Sequence, residues 1–340
     1  MDNLVFDSSL KEQILLHLTE CKSSLSENSY TRRISQLHDF DNFLVEYGFT
    51  AGEELDEELV TEWISNHVLL SDSTIMTYVN ALRRFLVFYS RLENVKVYIP
   101  PSYKVNDSYV PYYFSDEEMS RIYECADNYQ SGLMNTYPYI ELELPVIIRL
   151  LDACGFRISE LITTNMHHVD LTNGVLTMVN TKNKRERLVP MAESVTGILK
   201  CYCKTMNLHE GTNQLLFPGK SSLEPLTRNA VGDRFRNVLL FTGIRKKRNS
   251  RNDDYYQRGP CIHCLRHRFV LRSVKKLLSH GVLIEDAIPY LSIYLGHDSI
   301  SETEKYLKFA SDLFPEELEK FDSATYNLYP DEEIWDDWMV

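Results

Sequence analysis

The sequence predicts a mainly α-helical chain with a small β-hairpin or sheet: a helical N-terminal domain, then a larger α+β domain, then a short acidic tail. Three observations in the 340 residues carry that prediction. Apolar residues recur at helical spacing through the first hundred positions. Two consecutive prolines, Pro100 and Pro101, interrupt the pattern. Two short β-rich segments, near 175 and 188, stand between stretches that are otherwise helical.

Taken in order, Leu37, Phe40, Phe43, Leu44 and Tyr47 share the spacing of one helix face. Residues 74–78 lead into a second, with Leu82, Phe85, Leu86 and Tyr89. Both sets read as core. From 98 to 111 a helix cannot continue, because proline lacks the amide donor and pushes its predecessor toward extended geometry. The first domain with its linker is therefore assigned to residues 1–104. Ser115 and Glu118 have the spacing of a capping box, and they open a second domain assigned to 105–322. Within it the apolar runs 144–155 and 270–295 read as helices. Residues 174–179 and 187–190 read as the strands of a hairpin, with 180–186 as its exposed turn. Residues 323–340 form the acidic end, a disordered terminus or an interaction tail carrying Trp335 and Trp338.

Composition narrows the class. No apolar run approaches the roughly 20 residues of a membrane span, and the first five residues lack the basic start of a secretory signal, so a cytoplasmic protein is expected. Seven scattered cysteines in a chain this long read as reduced thiols. The net charge of −13 argues at first against nucleic acid, but it is unevenly spread. Residues 180–280 hold 21 Lys and Arg against 7 Asp and Glu, whereas 281–340 hold 3 against 15. The run Arg245, Lys246, Lys247, Arg248, followed by Arg251, has no interspersed acid and points to phosphate contacts. Arg32, Arg33, Arg83 and Arg84 are further candidates for backbone phosphates, with solvated surface as the equal alternative.

The chemistry concentrates in a few residues. Arg157 follows Gly155-Phe156 and precedes Ile-Ser-Glu160-Leu; a buried arginine there needs an anion, either Glu160 or a phosphate from outside. Near the C-terminus stand His263, Arg266 and His267, then Leu295-Gly296-His297, then Tyr306. Two arginines, two histidines and a tyrosine suffice for covalent attack on a phosphodiester without a metal, the guanidinium groups clamping phosphate oxygens while a phenol is the nucleophile. Cys261, His263, Cys264 and His267 also invite a zinc reading. Their crowding along one helix start disfavours it, since structural zinc uses spaced ligand pairs.

These pieces together resemble the tyrosine recombinases of the phage-integrase family. The match comprises the Arg157 box, the hairpin Thr181-Lys182-Asn-Lys184-Arg-Glu-Arg187-Leu-Val-Pro190, the His263-x-x-Arg266-His267 box, Leu295-Gly-His297 and Tyr306, over about half the chain in the family's order. The resemblance implies a helical core-binding domain followed by an α+β tyrosine-recombinase catalytic domain. It implies that Arg157 and Arg266 bind the scissile phosphate and that His263 assists deprotonation of Tyr306, the nucleophile. It further implies Lys182, with Lys184 as the fallback, as the acid for the 5′ oxygen, His297 as another phosphate ligand, and Glu160 as support. Neither cofactor nor metal would be required. Double-stranded DNA carrying specific sites would be the partner, with a tetramer assembled on it and accessory proteins possible. Integration or transposition of a mobile element is the implied setting. Three alternatives remain: a type IB topoisomerase, a DNA-binding protein without catalysis, and metal-dependent transposition, which needs clustered carboxylates.

Overall fold

The computed structural model describes residues 5–50, 52–103, 111–132, 136–179, 186–246 and 259–297. They fall into two compact units, Met1–Tyr109 and Val110–Val340.

The first unit holds helices α1 (Lys11–Lys22), α2 (Glu27–Tyr47), α3 (Glu57–Ser65) and α4 (Asp72–Glu93). Ser26, Asp56 and Ser71 start α2, α3 and α4, each accepting the backbone N–H three residues on, which satisfies a donor the helix itself cannot. Leu37, Phe40, Phe43 and Leu44 of α2 pack with Leu82, Phe85, Leu86 and Tyr89 of α4 around Trp63 of α3. Asp39 accepts from the Trp63 indole at 3.0 Å and pairs with His67 at 2.9 Å, so the polar edge of this core is closed. Tyr47 departs from the expected core face: it ends α2 beside Gly48 and is 47% exposed. Arg32 and Arg84 are exposed and Arg83 is half-buried. Arg33 is half-buried too, with Nε and Nη1 enclosed and without a hydrogen-bond partner among the described residues, so it does not lie on an open surface. Its charge acts on His17, whose imidazole is pushed down to about 4 by burial and then by the Arg33 and Arg84 charges.

The second unit contains α5 (Asp116–Asp127), α6 (Ile140–Cys154), the single turn α7 (Ile158–Leu161), a 3-10 turn (Met166–His168), strands β1 (Val169–Asp170), β2 (Val175–Met178) and β3 (Arg187–Pro190), and helices α8 (Glu193–Thr205), α9 (Arg228–Phe241), α10 (His263–Ser279) and α11 (Ile284–Leu295). Mostly helical with one small sheet, it has the fold class the sequence predicts. The capping box forms as anticipated: Ser115 accepts from Glu118 N–H while the Glu118 carboxylate accepts from Ser115 N–H. The sheet runs β1-β2-β3, antiparallel throughout, with Leu176 opposite Val189. Strand β1, two residues long, was not anticipated, because it shows no alternation that could reveal it.

The run 270–295 is not one helix. Gly281 adopts φ +76°, the left-handed conformation that ends a helix, and separates α10 from α11. The break folds α11 back so that Leu291 and Leu295 pack on Val270, Leu271 and Val274 of α10. Helix α6 runs through the main core, with Ile147, Leu150 and Leu151 buried among side chains of the surrounding elements. Arg268 of α10 is buried against it and fully partnered. Its guanidinium donates to both Asp152 oxygens at 2.6 and 2.8 Å, to Phe114 O at 2.9 Å and to Asp116. Tyr123 completes the Asp152 shell from 2.7 Å. A charge this deep persists because hydrogen bonds replace its water on every side. Among the described residues no helix is long and apolar enough to cross a membrane.

Candidate active site

Three chain turns meet where the sequence-predicted residues gather. Helix α6 stops at Gly155, φ +64°, and the chain then runs extended through Arg157, the N-cap of α7. Helix α11 stops in the same way at Gly296, φ +62°, delivering His297. Helix α10 begins with His263 and carries Arg266 one turn later, on its buried face.

Arg266, 2% exposed, ties the three turns together. Its Nη1 donates to Gly155 O at 2.6 Å, and its Nη2 to Leu295 O at 3.0 Å and His297 Nε2 at 2.9 Å. Arg157 donates to the next carbonyl along, Gly296 O, at 3.0 Å, and to Glu160 Oε1 at 2.9 Å. The internal partner that the sequence left open for Arg157 is thus Glu160. Two guanidinium groups from distant parts of the chain stand on adjacent carbonyls of one turn, beside an imidazole.

Electrostatics follow from this crowding. Burial alone would raise the Glu160 carboxyl, but its hydrogen bonds and charge contacts with Arg187 and Arg157 outweigh that and hold it below the ordinary range. His297 is pushed down to about 3 by burial, then by Arg266, Arg157 and Arg187. It is therefore neutral at physiological pH. Because Nε2 accepts from Arg266, the ring proton is assigned to Nδ1. His263 is exposed and meets His267 edge to face, ring centres 4.6 Å apart. His267 is pushed to about 3 by burial, then by His263 and Arg266.

Arg187 was not singled out from the sequence. It opens β3 with a side chain 11% exposed and donates from Nη2 to Glu160 Oε2 at 2.6 Å. A signal was present: in a strand the side chains at i and i+2 share a face, and Arg187 shares the face of buried Val189. An arginine on an inward face needs a partner.

Other predicted residues are placed differently. Lys182, Lys184, Lys247, Arg248 and Tyr306 lie outside the described residues. Lys246 is exposed, while Arg245 spends Nη1 on Pro260 O at 2.9 Å, next to the start of α10. The competing tyrosines have other surroundings: Tyr290 is 72% exposed, and Tyr294 stacks on Phe269 with centroids 5.5 Å apart. All seven cysteines are free, with Cys261 and Cys264 sulfurs 3.7 Å apart. Among the described residues no group of three or more His, Cys, Asp or Glu is arranged to hold a metal.

Residues 113–312 match the profile of the phage integrase family. The chain belongs to that family. Among its curated relatives, this integrase-family chain is 27% identical over 222 residues to y4rB of Sinorhizobium fredii, named as an integrase/recombinase, covering 62% of this chain and 66% of that one. It is 29% identical over 176 residues to the tyrosine recombinase XerD of Proteus mirabilis, covering 51% of this chain and 50% of that one. The match thus spans between half and two thirds of these relatives' length. In fold it is similar to XerH site-specific recombinase bound to its difH substrate, with TM-score 0.63, 18% identity, and 89% and 94% of the two chains covered. It is also similar to lambda integrase bound as a dimer to a core site, with TM-score 0.62, 14% identity, and 87% and 76% covered.

Proposed function

We propose that this protein is a site-specific DNA recombinase that cleaves and rejoins strands through a 3′-phosphotyrosine intermediate. The observation that carries the reading is the pair Arg157 and Arg266, side by side on the Gly296 and Leu295 carbonyls with His297 between turn and guanidinium. Two positive charges so placed stabilise the charge of a phosphate's pentacoordinate transition state, Arg157 from the more open side and Arg266 from its buried place on the turn. The loss of one such donor costs about 10²–10³-fold in rate.

In this reading the phenolic oxygen of Tyr306 attacks the phosphorus while His263 accepts the phenolic proton. Help is needed because a free tyrosine has a pKa of about 10. The bond from phosphorus to the 5′ oxygen breaks, and Lys182, or Lys184 in its place, supplies that oxygen's proton. His297 is a further phosphate ligand and Glu160 holds Arg157 in place. The phosphotyrosine keeps the energy of the phosphodiester, so a 5′ hydroxyl of a second strand can reverse the attack and reseal DNA without ATP.

Residues 1–104 act as a DNA-binding domain using Arg32, Arg83 and Arg84, residues 105–322 as the catalytic domain, and 323–340 as an acidic tail. Exchange between two duplexes takes four sites, hence a tetramer on DNA, with accessory proteins where the site demands them. Integration or transposition of a mobile element is supported by similarity in fold to the Tn1549 transposon integrase, solved with circular intermediate DNA.

The test is covalent trapping in EDTA on nicked duplexes drawn from the flanks of the protein's own coding region. Wild type forms a protein–DNA adduct and Tyr306→Phe forms none. Equal adducts from both proteins reject Tyr306 as nucleophile. Relaxation of any supercoiled plasmid without site preference supports a topoisomerase instead.

A further inference from the structure

Arg187 occupies a position that the phosphate-gripping pair does not account for. Its Nη2 holds Oε2 of Glu160 at 2.6 Å, while Arg157 holds Oε1 at 2.9 Å. One buried carboxylate thus bridges a strand and the turn after α6. The Arg187 guanidinium also packs closely against Gly296: a Cβ built there would fall 2.8 Å from Nη1 and 3.3 Å from Cζ. Gly296 is the residue whose carbonyl receives Arg157, between the Leu295 carbonyl that receives Arg266 and the His297 ring. The Nε and Nη1 of Arg187 are enclosed and find no hydrogen-bond acceptor among the described residues. A guanidinium with two sealed donors is costly to bury unless the position itself is needed. Those donors are shut off from solvent, so they do not reach a bound strand directly.

We infer that Arg187 is a positioning residue for the cleavage reaction: it clamps the second oxygen of Glu160 and backs the Gly296 turn, and so fixes Arg157 and His297 for the phosphate. Arg187 also begins β3, so it ties that strand to the turn that holds Arg157 and His297. The inference rests on the recombinase reading above. Without Arg187, Glu160 faces burial with Arg157 alone, takes up a proton at higher pH, and ceases to hold Arg157 rigidly.

The experiment is a double-mutant cycle with single-turnover adduct formation as readout, together with DNA affinity in the same proteins. Arg187→Met slows adduct formation about 100-fold with DNA affinity within threefold of wild type, the size expected when one member of a preorganised charge network is lost. On a Glu160→Gln background the same substitution adds less than threefold, because the carboxylate it served is gone. In Arg187→Lys, which keeps the charge but not both contacts, the rate partly recovers and its acid limb moves to higher pH than in wild type. Arg187→Met cleaving as fast as wild type overturns the inference. So does a full second loss on the Glu160→Gln background, which would place Arg187 outside the Glu160 linkage. If Arg187→Met does not fold, the acid limb of Arg187→Lys decides: an unmoved limb overturns the inference. If wild type itself forms no adduct, the recombinase reading fails, and the cycle is read in urea denaturation instead. There, Arg187→Met must lower the folding equilibrium at least tenfold more with Glu160 intact than on the Glu160→Gln background, and additive losses overturn the clamp.

Discussion

Glu143 shows how much a single side chain can set. It sits in α6 fully buried, and neither carboxyl oxygen has a hydrogen-bond partner among the described residues. Burial alone pushes its pKa up to about 8. A raised pKa contributes stability that is fully present below the unfolded value of 4.5 and is lost as pH rises through 8. Glu143→Met, which fills similar space without a charge, is therefore expected to stabilise the protein far more at pH 8.5 than at pH 5, by on the order of 3 kcal/mol between the two. Urea denaturation at both pH values measures this, and equal gains at both would reject a buried titrating carboxyl. Histidines act in the opposite sense. His17, near 4, and His267 and His297, near 3, are neutral in the fold, so the unfolded chain takes up their protons first as pH drops below 6.5. Stability falls across that window, and the optimum lies between the two effects. The apolar run that predicts this helix starts at Leu144, one residue past the glutamate, so the sequence alone leaves the buried acid outside it.

At the scale of elements, the site depends on how helices end. Gly155 and Gly296 both take left-handed φ values, and each supplies a carbonyl to an arginine. A Cβ on Gly155 would also fall 2.3 Å from Cδ1 of Phe269. Gly155→Ala is expected to cost about 1–3 kcal/mol of stability, from positive φ and steric conflict together, and to misplace Arg157. Thermal unfolding with adduct formation checks it, and an unchanged melting temperature would contradict the packing described. Much at this scale was legible. The capping box at Ser115, the strands near 175 and 188 and the aromatic faces of α2 and α4 each carry their signal within a few residues of themselves. The break at Gly281 was not read, because a glycine in an apolar run is also tolerated within helices, and only the packing of α11 back onto α10 decides. Arg157, Arg266 and His297 carry their signal in local motifs, and the structure brings the three together at one turn. Arg187 was missed because its meaning lies in a carboxylate 27 residues earlier and a glycine near the other end of the unit.

For the whole molecule, the charge distribution matters more than its sum. With a net charge of −13 but a strongly basic stretch from 180 to 280, association with a duplex is expected to be steeply salt-dependent despite the acidic total. Changing Lys246, Lys247 and Arg248 together to Gln should lower the slope of log affinity against log salt by roughly 2 to 3, since each neutralised phosphate contributes about 0.9. Arg245 is left intact because it braces Pro260. Fluorescence anisotropy on a duplex of defined length gives the slope, and an unchanged slope would place the phosphate contacts elsewhere.

The Arg268 cluster has a consequence for how the protein is made. Arg268 meets Asp152 across 116 residues and Asp116 across 152, so the ribosome must have released α10 before either acid acquires its cation. Until then the nascent second unit carries a carboxylate in a core that cannot close around it. A message cut short before codon 268 therefore yields an open chain for proteases to clear, and the arrival of α10 gates the closing of the whole second unit.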